Sequence, residues 1–99
     1  MLNIKKTVNG NKAVFALEGR LDTNTSVELD EALKPVVDGV DELLFDLGSL
    51  DYISSAGLRV LLGLAQVMEK QGDMKVINPG DAVMDVFSVT GFDDILNIE

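Results

Sequence analysis

The stretch LLFDLGSLDYISSAGL, residues 43–58, passes from a nearly continuous apolar run through a polar segment to two adjacent serines and a glycine. DELLFDL, residues 41–47, has the length and apolarity of a strand covered on both faces inside an α/β sheet. From about Ser55 to Gln71 the pattern turns helical. At about 100° per residue, Ser55, Arg59, Gln66 and Lys70 share a narrow sector with Leu62 on its border. Ala56, Leu58, Val60, Leu61, Leu64, Ala65, Val67 and Met68 fill the remaining arc and predict a helix that is core on most sides. Two serines at its start need two explanations. Ser54 is placed to cap the helix by accepting from the free N–H groups of the first turn. Ser55, as first helical residue, is left pointing outward at the positive end of the helix dipole, where an attached phosphate would be accommodated.

Outward from this segment the other elements follow. LNIKKTV and KAVFALEG flank Asn9-Gly10, a pair that favours a hairpin turn and predicts an antiparallel strand pair. In LDTNTSVELDEALKPVVDG, Thr25 and Glu28 have capping-box spacing, and Leu29, Ala32, Leu33 and Val36 form one helical face that Pro35 should kink or end. Gly72 is the expected left-handed stop of the second helix. MKVIN reads as a strand and Pro79-Gly80 as a turn. Asp81 is the expected cap of a short helix carrying Val83, Val86 and Phe87 and ended by Gly91, and DILNIE is a candidate last strand. The order is that of an α/β domain whose later strands are parallel.

Composition narrows the chemistry. A chain of 99 residues, 46% apolar along its whole length, is read as one domain over residues 1–99 with no linker, repeat or charged tail. With 17 acidic and 8 basic residues, a formal charge of −9 would repel a phosphate backbone, so nucleic acid is not the expected direct partner. The absence of His and Cys excludes disulfides, thiolate metal sites and histidine-dependent triads. MLNIKKTVNGNK lacks the apolar core of a signal peptide, and no apolar run approaches the ~20 residues that span a bilayer, so a cytoplasmic location without membrane insertion is expected.

Residues 43–58 resemble, without gaps, the signature of the anti-sigma factor antagonists of the STAS domain family, in which a strand ending in Asp leads through a short loop to Asp-Ser-Ser/Thr-Gly-Leu. LEGRLDTNTSVEL resembles that family's Gly-x-Leu-Asp segment and first helix. The resemblance implies an α/β, STAS-like fold: a mixed four- to five-stranded sheet with an N-terminal antiparallel hairpin and later parallel strands, packed by three to four helices. It also implies a non-enzymatic switch without cofactor. Unphosphorylated, the protein would bind an ATP-binding anti-sigma factor that is also its serine kinase, and so free a sigma factor. Phosphorylation would end that binding, and a serine phosphatase would reset it. The family's acceptor serine, two residues before the glycine, is matched by Ser55, and its neighbouring acidic residue by Asp22. The implied partner surface comprises Asp22, Thr23, Ser54, Ser55, Arg59 and Leu62. Ser54 stands where the family has aspartate, and Ala56 where it has Ser or Thr.

The same residues admit three rival readings. A receiver domain phosphorylated on Asp46 needs an acidic pair on a neighbouring strand end, which VFALEGRLD does not supply. A serine nucleophile would have to use Lys70 or Lys75 as base, and Lys70 lies about four turns from Ser55 along the same helix. The stronger rival shares the fold: an unphosphorylated STAS subunit of a larger assembly, such as a lipid-transport complex or a stress-signalling scaffold.

Overall fold

The hairpin consists of β1 (Leu2–Asn9) and β2 (Lys12–Leu21), paired antiparallel from Leu2↔Gly19 to Asn9↔Lys12 in a computed structural model that describes residues 2–99. Its two turn residues are Gly10 and Asn11, one step beyond the expected Asn-Gly pair. Gly10 takes the positive φ of 62°, the position at which a two-residue hairpin turn favours glycine.

Helix α1 (Thr23–Val37) follows, then β3 (Glu42–Ile53), α2 (Ser55–Gln71), β4 (Asp73–Ile77) and α3 (Asp81–Thr90). The strands lie in the order β1-β2-β3-β4, with β3 parallel to both neighbours. The DILNIE segment contributes a single parallel bridge, Ile98 to Val76, on the outer edge of β4. The sheet is therefore mixed, with three helices and a short 3-10 turn at Phe92–Asp94, as the fold class anticipated.

Several local expectations are corrected. Strand β3 extends through Ile53, so GSLDYI is strand where a short loop was expected. Nor is β3 covered on both faces. Ala13, Phe15, Leu17, Leu43, Phe45, Leu47 and Val76 are buried on one face, whereas Val14, Ala16, Leu44 and Asp46 on the other are only half-buried. Phe15 and Phe45, side by side in the register, have ring centroids 5.9 Å apart at the centre of the buried face. Burial of each such ring contributes about 1.5–3 kcal/mol.

Helix α1 begins at Thr23 with Asp22 as N-cap, not at Thr25. It continues two residues past Pro35, whose missing N–H would have bonded to the carbonyl of exposed Glu31, where water can substitute. The N-cap of α3 is Gly80. Asp81 is its first helical residue and favours the helix through its charge instead. Gly91 does end α3 in the left-handed conformation, φ 80°. Gly72 does not: its φ of 170° is extended backbone. A Cβ there would lie 1.9 Å from the Asp41 carbonyl oxygen, so the requirement is for space. Val67, expected in the core, is 42% exposed.

The face of α1 that packs on the sheet presents Leu29 and Leu33, and that of α2 presents Leu58, Leu61, Leu64 and Met68. Their C-terminal ends are clamped by Gln71, whose Nε2 donates to the carbonyls of Val37 (2.6 Å) and Val40 (2.7 Å). With that end fixed, the opposite ends of both helices sit at one edge of the domain.

Candidate functional site

The parallel strands β2 and β3 end in register, Leu21 beside Ile53, and each runs straight into a helix. The Ser54 N–H donates to the Leu21 carbonyl at 2.8 Å, so the segment entering α1 and the segment entering α2 are tied together. Two helix N-termini thus lie side by side, each with free N–H groups and the positive end of a dipole.

Asp22 caps the first. Its Oδ1 accepts from the N–H groups of Asn24 (3.0 Å) and Thr25 (2.9 Å), while the Thr25 hydroxyl accepts from the Asp22 N–H and donates to the Arg20 carbonyl, both at 2.8 Å. This is a capping box with Asp22 and Thr25 in the two roles. The Thr25 N–H above all, aided by the Thr25 hydroxyl and the Asn24 N–H, holds the Asp22 carboxyl below its ordinary value of 3.8. A depressed carboxylate favours folding above its unfolded pKa, and that contribution fades as pH falls through the folded one. Carbon-detected NMR titration is therefore expected to place the Asp22 midpoint below 3.8. A midpoint at or above the ordinary value would mean that the cap is not formed in solution.

Ser54 caps the second helix as expected, its Oγ accepting from the Gly57 N–H at 3.3 Å. Gly57 explains the glycine of the motif: a Cβ there would come 2.7 Å from Leu21 Cγ and 3.1 Å from Ile53 Cγ1. Without one, the first turn of α2 seats directly on the ends of β2 and β3. Ser55 is exposed, and its hydroxyl enters none of the side-chain hydrogen bonds found among the described residues. Ser54→Ala is expected to lower the unfolding free energy by about 1 kcal/mol through the lost cap, measured by chemical denaturation, with the Ser55 hydroxyl left accessible.

Of the remaining sequence-predicted residues, Thr23 is exposed as the first residue of α1, and Arg59 is exposed one turn after Ser55. The structure thus gathers Asp22, Thr23, Ser54, Ser55 and Arg59 at one end of the sheet. Leu62 stands apart, half-buried at the border of the stripe, where it lines a groove with Ala65, Ile95 and Leu96.

Two features escaped the sequence reading. Arg20 and Tyr52 are register partners, and the guanidinium carbon lies 4.3 Å from the Tyr52 ring centroid, a cation–π contact just before the Asp22 turn. Only the register of the strands could have revealed it. Asp46 lies within β3 rather than at its end, and its Oδ1 accepts from the Gly48 N–H (3.0 Å) and from Asn78 Nδ2 (3.3 Å). It supports the irregularity in the β2–β3 register and the turn after β4, and Asn78 holds that turn with a left-handed φ of 57°.

Comparison with known proteins agrees with this geometry. The STAS domain family model matches residues 3–99. BtrV of Bordetella bronchiseptica, provisionally named an anti-sigma factor antagonist, is 38% identical over 81 residues, covering 80% of this chain and 70% of the relative. The anti-sigma-B factor antagonist of Bacillus subtilis is 29% identical over 98 residues, 98% of this chain and 90% of that protein. Among solved structures, the anti-sigma factor antagonist SpoIIAA in its unphosphorylated form superposes with a TM-score of 0.83 at 20% identity, over 100% of this chain and 88% of that one. Its phosphorylated form gives 0.76 at 19% identity, over 100% and 91%. At such identities the superpositions establish the fold.

Proposed function

The chain belongs to the STAS domain family, and from that membership we propose that it is an anti-sigma factor antagonist switched by phosphate on Ser55. The observation that carries the reading is the division of labour at the start of α2: Ser54 is engaged as the cap, while Ser55 is exposed at a helix N-terminus beside the Asp22 turn. Relatives named as anti-sigma and anti-sigma-B factor antagonists, and a structural neighbour solved in a phosphorylated form, support it.

In this reading the unphosphorylated chain binds an ATP-binding anti-sigma factor through Asp22, Thr23, Ser54, Ser55, Arg59 and Leu62, and sigma is released. The same partner, acting as a serine kinase, transfers the γ-phosphoryl group of ATP to the Ser55 hydroxyl. About two negative charges then appear at the centre of the contact at pH 7, beside the Asp22 carboxylate. The two helix N-termini stabilise the phosphate within the free protein, but the complex must desolvate it against the partner, so binding is lost. A serine phosphatase restores the active form. The protein supplies a binding surface and an acceptor hydroxyl and catalyses nothing. Among the described residues no helix is long and apolar enough to cross a membrane.

The test is a displacement assay. Unphosphorylated chain, added to a preformed complex of a sigma factor with the ATP-binding anti-sigma factor of the same organism, is expected to free the sigma factor, as followed by native mass spectrometry. Persistence of the sigma complex at saturating chain would reject this function and favour the role of a subunit in a larger assembly.

A further inference from the structure

The face of the sheet opposite Phe15 and Phe45 has no buried residue on it. Val14 and Ala16 of β2, Leu44 and Asp46 of β3 and Ile77 of β4 stand there, each only half-buried. Yet β2, β3 and β4 are parallel, and parallel strands occur almost only with both faces covered. The apolar run of β3 has the composition of such a strand, so this face is short of a layer.

Around its apolar centre the charges divide by strand. Lys5 on β1 and Lys12 on β2 stand on one side, and Glu42 and Asp46 on β3 and Asp73 on β4 on the other. The two charges that break this division are engaged within the chain: Lys75 is held by Glu99 at 3.1 Å, and Glu18 accepts from Asn3 Nδ2 at 3.2 Å. Lys12 and Glu42 are register partners, yet neither enters an ion pair among the described residues.

We propose that a second copy of the chain covers this face, in a two-fold pair whose axis lies between the two sheets and runs along the strands. That axis lays β2 of each copy on β3 of the other at the same level. Val14 then meets Leu44 of the second copy, and Lys12 meets its Glu42, each twice per pair. Lys5 lies over Ile77 of the second copy with Asp46 beside it. No like charges are set opposite. The other face-to-face two-fold, across the strands, stacks β3 on β3 and brings Glu42 or Leu44 of one copy against Asp46 of the other. A face with opposite signs in its two halves suits its own copy and not a uniformly charged polymer or membrane. At ~4.8 Å between strands and ~3.3 Å per residue, the four strands from the level of Lys12 to that of Glu18 present roughly 400 Å² per copy. Standard stable interfaces bury about 800 Å² per partner, so the pair is weak and exchanges readily. Because the axis runs along the strands, both Asp22–Ser55 ends emerge at the same end of the pair and stay open. The pairing does not depend on the proposed function, but it would make the chain bivalent toward an anti-sigma factor.

Sedimentation equilibrium of the wild-type chain up to about 1 mM, a scale on which even weak complexes form, is expected to show a reversible monomer–dimer equilibrium. Lys12→Glu and Glu42→Lys are each expected to raise the dissociation constant tenfold or more at unchanged melting temperature, since each sets like charges opposite in two places. An equimolar mixture of these two variants is expected to recover the dimer, because only in the mixed pair does every charge at position 12 face its opposite at position 42. Leu44→Arg should abolish pairing. A wild type that stays monomeric, or a dimer that all three variants keep, would overturn the inference, and a mixture that fails to associate would overturn the two-fold arrangement. Loss of anti-sigma factor binding in Leu44→Arg, with the wild type monomeric, would give the face to that partner instead. A dimer formed by a chain that frees no sigma factor would reject the proposed function alone.

Discussion

Gly72→Ala is expected to destabilise the domain by about 3 kcal/mol, the upper end of what a forced overpacking costs. The added Cβ would fall 1.9 Å from the carbonyl oxygen of Asp41, 2.6 Å from its carbon and 2.7 Å from its Cα. These are backbone atoms, so no rotamer change relieves the overlap. The segment cannot drift either, because the Gly72 N–H bonds to Met68 O (2.7 Å) and the Asp73 N–H to Asp41 O (2.9 Å). Relief requires parting the Glu42↔Asp73 end of the β3–β4 ladder or fraying the last turn of α2, where Gln71 clamps α1. Gly63→Ala is the control in the same helix and should stabilise by about 0.5–1 kcal/mol. Urea unfolding of both variants reads the contrast, and a Gly72→Ala curve overlying wild type would show that the approach to Asp41 is looser than described.

Ser55→Glu is expected to leave the unfolding curve unchanged and to weaken binding of the anti-sigma factor by about two to three orders of magnitude. An uncompensated charge held in a closed contact costs about 3–5 kcal/mol, and each 1.4 kcal/mol is about a factor of ten in affinity. Stability should be spared because the side chain points to solvent at a helix N-terminus, where negative charge is favourable. Ser55→Ala, by contrast, should bind as wild type and accept no phosphate. If Ser55→Glu bound the partner as tightly as Ser55→Ala, the charge would not be what ends the complex.

Much of this was legible from local chemistry. Helix α2 was fully patterned: a serine able to cap, a narrow polar stripe and an apolar arc, and the structure differs there mainly at Val67 and Gly72. The boundaries of α1 were not, because Asp22 to Thr25 and Thr25 to Glu28 both satisfy capping spacing. Which one wins depends on the Thr25 hydroxyl reaching the Arg20 carbonyl, a contact made by the end of β2. GSLDYI hid its strand character because that part of β3 passes a register irregularity supported by Asp46 and places Ser49, Asp51 and Tyr52 in solvent. The apolar run around Leu44 suggested two covered faces, whereas Leu44 is only half-buried, on the face opposite Leu43 and Phe45. Close approaches such as Gly72 to Asp41 and Gly57 to Leu21 join segments distant in sequence and leave no local pattern. For the candidate site, motif and helix geometry single out Asp22, Ser54 and Ser55 as candidates, but their adjacency depends on the Leu21–Ser54 hydrogen bond between parallel strand ends.

The most direct test of the switch is calorimetric titration of the ATP-binding anti-sigma factor of the same organism with two preparations of the wild-type chain. One is unphosphorylated, and the other is phosphorylated by that partner with ATP and mapped by peptide mass spectrometry. The phosphate is expected on Ser55 alone, with tight binding by the first preparation and no measurable heat from the second. Equal affinity of the two preparations, or a phosphate mapped to Ser54, would contradict it.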